Sequence, residues 1–449
     1  MAILDQSFSA DNFRQILDYE NRKGVYLEGR YFADIGTVTE AIKKCNTELR
    51  EKKKTATAEE FEIFRKETND KKEKLKEEKE AKLIEALQKV SDNVVKDKFR
   101  IELTRDDTIT DKPVYTTADE PENFFALKQL QYNFRKLYKV KQSNRFAILS
   151  QVKVLLDNNF PKYVIRTDIQ EFYESIPHDK LFQKLNEENL MTFYSKKILT
   201  QILNEYKRLS GSDIGLPRGV GVSAYLAELY MRDIDQLIKS LPSVSYYARY
   251  VDDIIIIFTP TSTKEPRDYL AKIDEIIETK YLLTRSRTKT QEFDLVETPT
   301  GCSLQYLGYH FQFGTSPIRL KLTTNKVNRY KHRIDLIFDS YINYSKINEK
   351  KARKLLVKRL KFLTGNTRLL NNKKNILVGV YYSNNLLTDD SDFIGLDRYL
   401  AYKIGTIILI EHLKTRLGKF KFQEGFTRKR FSPFTTNELS DILAIWQSE

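Results

Sequence analysis

The spacing of hydrophobic and polar positions changes twice along the chain. Between about 37 and 98, sparse apolar positions (Phe61, Phe64, Leu75, Leu83, Ile84 and Leu87) recur against a charged background, with no Gly or Pro from 51 to 80. This predicts a long helix or helical hairpin with one narrow apolar stripe. From about 160, short apolar runs alternate with Pro, Gly and helical stretches. Tyr163 to Ile169 reads as a buried strand that reaches a carboxylate, Asp168. Ser245 to Tyr250 and Ile254 to Phe258 read as a β-hairpin with Asp252 and Asp253 at its tip. Between them, Gly215 to Ser223 forms a loop opening a helix whose apolar residues are Leu226, Leu229, Tyr230 and Ile234. Beyond about 322 the pattern is helical, with Leu355, Leu356, Leu360 and Phe362 among Lys and Arg. Gly405 to Leu409 reads as the interior of an apolar helix or strand.

The longest unbroken apolar runs, Ile254 to Phe258 and Ile442 to Trp446, fall far short of the roughly 20 residues a bilayer-spanning helix needs. No membrane partner is expected. A chain of 449 residues implies two or three packed units, and 26 Tyr with 26 Phe exclude a disordered chain. Two Cys and four His lie far apart, so a closed zinc site is not expected. Met1 to Asp5 shows no secretory pattern, and the expected location is cytoplasmic.

Charge adds a direction to this picture. The net charge is +14, and from Lys326 to Glu449 there are 24 Lys and Arg against 12 Asp and Glu. Such an excess is the footprint of phosphate binding, or else a solvated basic helical face. Residues 51 to 80 hold ten cations and ten anions, as expected for an exposed helix carrying i,i+4 ion pairs.

The candidate chemistry lies in the carboxylates. Adjacent Asp252 and Asp253, flanked by apolar strands, disfavour each other's ionisation unless a cation neutralises them. If the strand ending at Asp168 lies beside the hairpin, Asp168 and Asp252 can bridge two divalent ions and so activate a 3′ hydroxyl and stabilise leaving pyrophosphate. A tight turn alone is the bland alternative. Gly219-Val220-Gly221 lacks the third glycine of a dinucleotide fingerprint, and no GxxxxGK[ST] loop occurs.

The order of these segments resembles the reverse transcriptase family over roughly residues 130 to 315. Tyr250-Val251-Asp252-Asp253 is similar to its YxDD box, Asp168 to Ile176 to its first palm motif, and Gly215 to Ser223 to the loop over the nascent base pair. Leu283 to Thr290 looks like the next palm motif, with Ser286 where Asn is usual, and Tyr306-Leu307-Gly308-Tyr309 looks like the primer-grip hairpin. The resemblance implies an α+β right-hand polymerase, with fingers and an antiparallel palm sheet, a basic α-helical thumb or C-terminal region, and a charged helical N-terminal insertion. The implied division is 1–100, 101–320 and 321–449.

The same resemblance implies residue roles. Asp168, Asp252 and Asp253 would be the catalytic carboxylates and, with the backbone of Ile169, the metal site for two Mg²⁺ ions, with Mn²⁺ as an alternative. Tyr173 would exclude a ribose 2′ hydroxyl, and Lys289 would protonate pyrophosphate. Arg145 and Lys141 would grip the incoming triphosphate. Arg218, where Gln is usual, and Gly219 would also meet the nucleotide or a template phosphate. Tyr250, Leu307, Gly308, Lys354, Lys358 and Arg359 would contact nucleic acid. Expected partners are an RNA template, a DNA product and dNTPs.

The wording of Phe8 to Phe13, Asp18 to Gly24, Arg166-Thr167-Asp168 and Phe172 to Ile176 resembles bacterial defence-associated reverse transcriptases, nearest to the type 3 systems. This implies antiphage function with a noncoding RNA and a second reverse transcriptase subunit. Two rivals remain: an untemplated or protein-primed DNA polymerase of abortive-infection type, and a non-catalytic RNA-binding assembly protein.

Overall fold

The computed structural model describes residues 4–23, 25–108, 112–158, 160–262, 267–295, 302–313, 317–369 and 376–446. In chain order, α1 (Ala10–Arg22), α2 (Leu27–Tyr31), α3 (Ala33–Thr55) and α4 (Ala58–Val95) precede a short ribbon, β1 (Thr104–Asp106) and β2 (Val114–Thr116). Then come α5 (Pro121–Leu137), α6 (Arg145–Leu156), β3 (Tyr163–Asp168), α7 (Phe172–Ser175), α8 (His178–Glu188), α9 (Phe193–Ser210) and α10 (Ser223–Lys239). The hairpin β4 (Val244–Tyr250) and β5 (Asp253–Phe258) leads to α11 (Tyr269–Asp274), which continues through a π-helical turn, Glu275–Lys280. The strands β6 (Gln291–Asp294), β7 (Ser303–Tyr306), β8 (Tyr309–Gln312) and β9 (Arg319–Leu322) precede α12 (Thr324–Leu363). The chain closes with β10 (Asn366–Leu369), β11 (Ile376–Gly379), α13 (Ser391–Thr406), α14 (Glu411–Leu417), α15 (Phe422–Thr427) and α16 (Thr436–Leu443).

Packing groups these elements into two compact units, Met1–Lys141 with Phe172–Met231, and Gln142–Glu171 with Arg232–Glu449. Helix α6 and strand β3 fall in the second unit because they share one apolar core with the C-terminal helices.

In the first unit, α3 and α4 form the expected helical hairpin. Thr57 caps α4, with Glu60 closing a reciprocal capping box. The buried stripe of α4 is Leu83, Leu87, Val90 and Val94, and the Ser91 hydroxyl donates to the Phe8 carbonyl at 2.8 Å. Ile84 is 54% exposed, and Phe61, Phe64 and Leu75 are only half-buried. Only the end of α4 nearest Val95 therefore packs fully, and the remainder carries pairs such as Lys76–Glu73 and Lys82–Glu78, which contribute little each.

In the second unit, an antiparallel sheet runs β4-β5-β3-β6. β5 is buried on both faces, from Ile254 to Phe258. Val164, Ile255 and Ile257 join Leu304, Phe311 and Leu320 of the β7-β8-β9 sheet, together with Phe338 and Phe393 of α12 and α13, in one core. Mixed helices and antiparallel sheets are thus what the chain builds. Gly405 to Leu409 departs from the expected interior. Helix α13 ends at Thr406, Ile407 is extended at φ −102° and ψ 141°, and Ile408 is 98% exposed while Leu409 turns inward. Among the described residues, no helix is long and apolar enough to cross a membrane.

The buried stripe of α4 sets an expectation. Leu87→Ala should lower the unfolding free energy by about 2–5 kcal/mol, and the exposed Ile84→Ala should stay within about 0.5 kcal/mol, as read by urea unfolding. Equal effects would contradict the face assignment.

Candidate active site

Strand register brings the carboxylates together in the second unit. Asp168 ends β3 directly opposite Asp253, the first residue of β5, and Asp253 in turn faces Tyr250 of β4. Only Val251 and Asp252 lie between the hairpin strands, so the turn is tight, and Val251 sits at φ +59°. A β-branched residue there carries roughly 1–3 kcal/mol of strain, which the surroundings must hold. They do so through Arg249, whose guanidinium donates to the Val251 carbonyl at 2.7 Å and to both oxygens of Asp235 at 2.9 Å. Tyr247 donates its hydroxyl to the same Asp235 at 2.6 Å. The Ile169 amide donates to the Asp252 carbonyl at 3.2 Å, and the Ser286 amide to the Asp168 carbonyl at 2.8 Å. The segment carrying Lys289 is anchored by Arg285, buried and bidentate on Asp274 at 2.5 and 3.0 Å.

The electrostatics separate the three acids. Asp253 accepts from Arg166 at 2.5 Å, and Asp168 from Lys289 at 3.0 Å. The other end of the Arg166 guanidinium holds the Lys289 backbone carbonyl at 2.8 Å. Burial, then the neighbouring Asp168, pushes the Asp252 carboxyl above the usual range. Asp253 is also raised by burial, and the charge of Arg166 pulls it partly back. No ion pair reaches Asp252 among the described residues. A half-buried carboxylate repelled by its neighbour and without an ion pair suits a hard divalent cation. Among the described residues no group of three or more His, Cys, Asp or Glu is gathered as a ligand set. Asp253 is engaged by Arg166.

Beside these groups lies a cavity of about 700 Å³ whose lining includes Tyr250, Asp253, Tyr306 and Tyr309 with Arg145, Lys326 and Arg329. Leu307 at φ +44° and Gly308 at φ +78° form the turn between β7 and β8. Arg145 donates to the Leu307 carbonyl and lies 5.9 Å from the Tyr309 ring centroid. Arg145, expected to grip the incoming triphosphate, is thus engaged at the turn. Lys326 lies 4.9 Å from the same ring centroid and donates to the Ser383 carbonyl at 3.3 Å. Burial, followed by Arg145 and Arg329, lowers its ammonium to about 7.

The remaining expected contacts divide. Tyr173, Arg218 and Gly219 lie together in the first unit. Arg218 is bidentate on Glu174 and 5.2 Å from the Tyr173 ring centroid, so its guanidinium is not a free phosphate ligand. The Leu216 amide donates to the Tyr173 carbonyl at 2.6 Å, and the Tyr115 amide to the Arg218 carbonyl at 2.7 Å. Gly219, at φ +93°, allows this close approach, since a Cβ would meet the Tyr115 carbonyl oxygen at 2.5 Å. Lys141 is exposed, as is Lys354. Lys358 pairs with Glu438 at 2.9 Å. Arg359 corrects its expected role. It is 6% exposed and ties α12 to α16 through the Ser340 hydroxyl and the Asp441 carbonyl, where it cannot meet nucleic acid.

Sequence reading missed Arg249, Asp235, Arg285, Asp274 and Lys326. The one local signal was a cation inside a β-rich run, at Arg249.

Two outcomes follow from this geometry. Because the folded value of Asp252 is raised, its protonated form contributes stability that is complete below the ordinary carboxylate range and is lost as pH rises through the folded value. Asp252→Asn should therefore raise Tm at pH 7 in metal-free buffer, with no gain at pH 3, and equal Tm values at pH 7 would refute the account. Asp235→Asn, which leaves the buried Arg249 without its counter-charge, should cost about 3–5 kcal/mol in urea unfolding.

Comparison with known proteins places the site in context. Residues 95–311 match the family model "Reverse transcriptase (RNA-dependent DNA polymerase)". No curated protein matches the sequence. Similar solved structures include apo telomerase from Candida tropicalis truncated from its C-terminal domain, at 17% identity and TM-score 0.32, covering 44% of this chain and 45% of that one. Telomerase from Candida albicans in complex with a TWJ fragment of telomeric RNA gives 14% and 0.32, covering 71% and 54%. Apo telomerase from Candida tropicalis gives 12% and 0.38, covering 77% and 60%. The chain thus spans about half the length of the first two of these structures. The matched residues, 95–311, include all three carboxylates.

Proposed function

We propose that the protein is a divalent-cation-dependent RNA-directed DNA polymerase that copies a noncoding RNA in cytoplasmic defence against phage, acting with a second reverse transcriptase subunit. The observation that carries the polymerase reading is the register that sets Asp168 opposite Asp253 while the strained two-residue turn leaves the half-buried Asp252 beside Asp168 without an ion pair among the described residues. In this reading the β4-β5-β3-β6 sheet is the palm, the β7-β8 turn faces the primer, and α12 begins the thumb. Asp168, Asp252 and the carbonyl of Ile169 would hold Mg²⁺ or Mn²⁺, which when bound lowers the pKa of a 3′ hydroxyl and offsets charge on the phosphates.

The chain's own residues do the rest. Arg166 orients Asp253 and, through the Lys289 carbonyl, fixes the segment whose ammonium is placed to hold a proton for departing pyrophosphate. Arg145, Lys326 and Arg329 line the cavity beside Asp253 with no carboxylate paired to any of them among the described residues, a surplus that favours a phosphodiester strand. Tyr173, backed by Arg218, would present its ring to the sugar of the incoming dNTP. The defence reading rests on the sequence resemblance alone.

The test is DNA synthesis by the purified protein with Mg²⁺, dNTPs and its co-purified RNA, followed by sequencing of product and RNA together. The expected product is DNA complementary to one RNA. Asp252→Asn should reduce synthesis about a thousandfold or more, since a bound cation supplies several kcal/mol, and should abolish plaque reduction in cells. DNA without a complement would replace the templated reading with untemplated synthesis. Unchanged synthesis by Asp252→Asn would overturn the active site.

A further inference from the structure

The first unit contains a polar cleft that shares no residue with the carboxylate site. Helices α1 and α5 meet through Phe13 and Phe125, with ring centroids 5.2 Å apart. Alongside this contact their polar faces part around a cavity of about 410 Å³, within the roughly 300–1,000 Å³ range of small-molecule sites. Residues enter it at helical spacing, Tyr19 and Arg22 or Lys23 from α1, and Lys128, Tyr132 and Arg135 from α5.

The charges in the cleft are unevenly settled. Glu20, 6% exposed, is already neutralised by Lys23 at 2.7 Å and Lys128 at 3.3 Å, and Asp18 is taken by Arg14. Arg22 and Arg135 are exposed at the rim and have no acidic partner among the described residues. The lining therefore keeps a positive surplus. It also offers aromatic surface next to those cations. The Lys23 ammonium is 3.9 Å from the Tyr19 ring centroid, and the Arg135 guanidinium is 5.6 Å from that of Tyr132. The Gln129 amide nitrogen, in a side chain 1% exposed, is already engaged, donating to Asn133 Oδ1 at 3.0 Å.

Aromatic surface for a base and guanidinium groups for a phosphate are together what a nucleotide requires. A cation would meet the positive surplus, and an apolar ligand would strip water from both arginines without return. We propose that this cleft binds a nucleotide, either free or as one residue of a single-stranded RNA. The inference goes beyond the polymerase reading, because none of these residues takes part in it.

The experiment uses the full-length Asp252→Asn protein, so that loss of DNA synthesis and loss of this binding are read separately. The protein is irradiated with 4-thiouridine triphosphate, or with a short single-stranded RNA containing 4-thiouridine, and adducts are mapped by mass spectrometry. Adducts are expected on the peptides carrying Tyr19 or Tyr132. Labelling by the triphosphate identifies a free-nucleotide site, and labelling by RNA alone identifies a strand site. The double substitution Arg22→Glu and Arg135→Glu should cut labelling roughly tenfold or more, the loss of two charge-assisted contacts, at unchanged Tm. Replacement of both by Lys should retain most of it. Labelling absent from both peptides with both probes, or undiminished in the Glu variant, would overturn the proposal.

Discussion

Repulsion between carboxylates held at fixed register is the constraint on which the rest of this site depends. Antiparallel pairing of β3 with β5 sets Asp168 against Asp253, and the two-residue turn brings Asp252 alongside. The pairing that buries Ile254 to Phe258 also holds the like charges together. The structure answers with two internal cations, Arg166 for Asp253 and Lys289 for Asp168. Asp252 alone is left for a cation from outside.

Around that constraint, the supporting shell is built of bidentate arginine pairs rather than of more acids. Arg249 on Asp235 holds the turn, and Arg285 on Asp274 holds the Lys289 segment. Both arginines are almost fully enclosed. Each planar fork fixes an orientation as well as a distance, which a lysine at the same position would not do. Precision at the carboxylates therefore depends on groups two or more residues away.

The acids were legible in the sequence because they interrupt apolar strands, where a solvated role is costly. The helical hairpin was legible from its length, its charge and its lack of Gly and Pro. Its buried stripe was placed too early, since Phe61 and Phe64 share the periodicity of Leu83 and Leu87 but are only half-buried. Arg359 was misread although its position was readable: with Ala352, Leu356, Leu360 and Leu363 it falls on one face of α12, and all of these are buried. Arg145 was not readable, because its partner, the Leu307 carbonyl, lies 162 residues away. A pairing of that span, and equally the 14-residue pairing of Arg249 with Asp235 between a helix and a strand, depends on the tertiary fold and leaves no local spacing to find.

The lowered ammonium of Lys326 links two equilibria. Near pH 7 a substantial share of molecules holds this amine neutral, because Arg145 and Arg329 already charge the cavity and burial removes water. An anion entering there restores the ammonium to favour, so its arrival draws a proton from solvent. By reciprocity, the proton strengthens the anion's hold by the same factor. Association in this cavity therefore consumes hydrogen ions, and it weakens as pH rises from about 7 toward the amine's higher value in the occupied state.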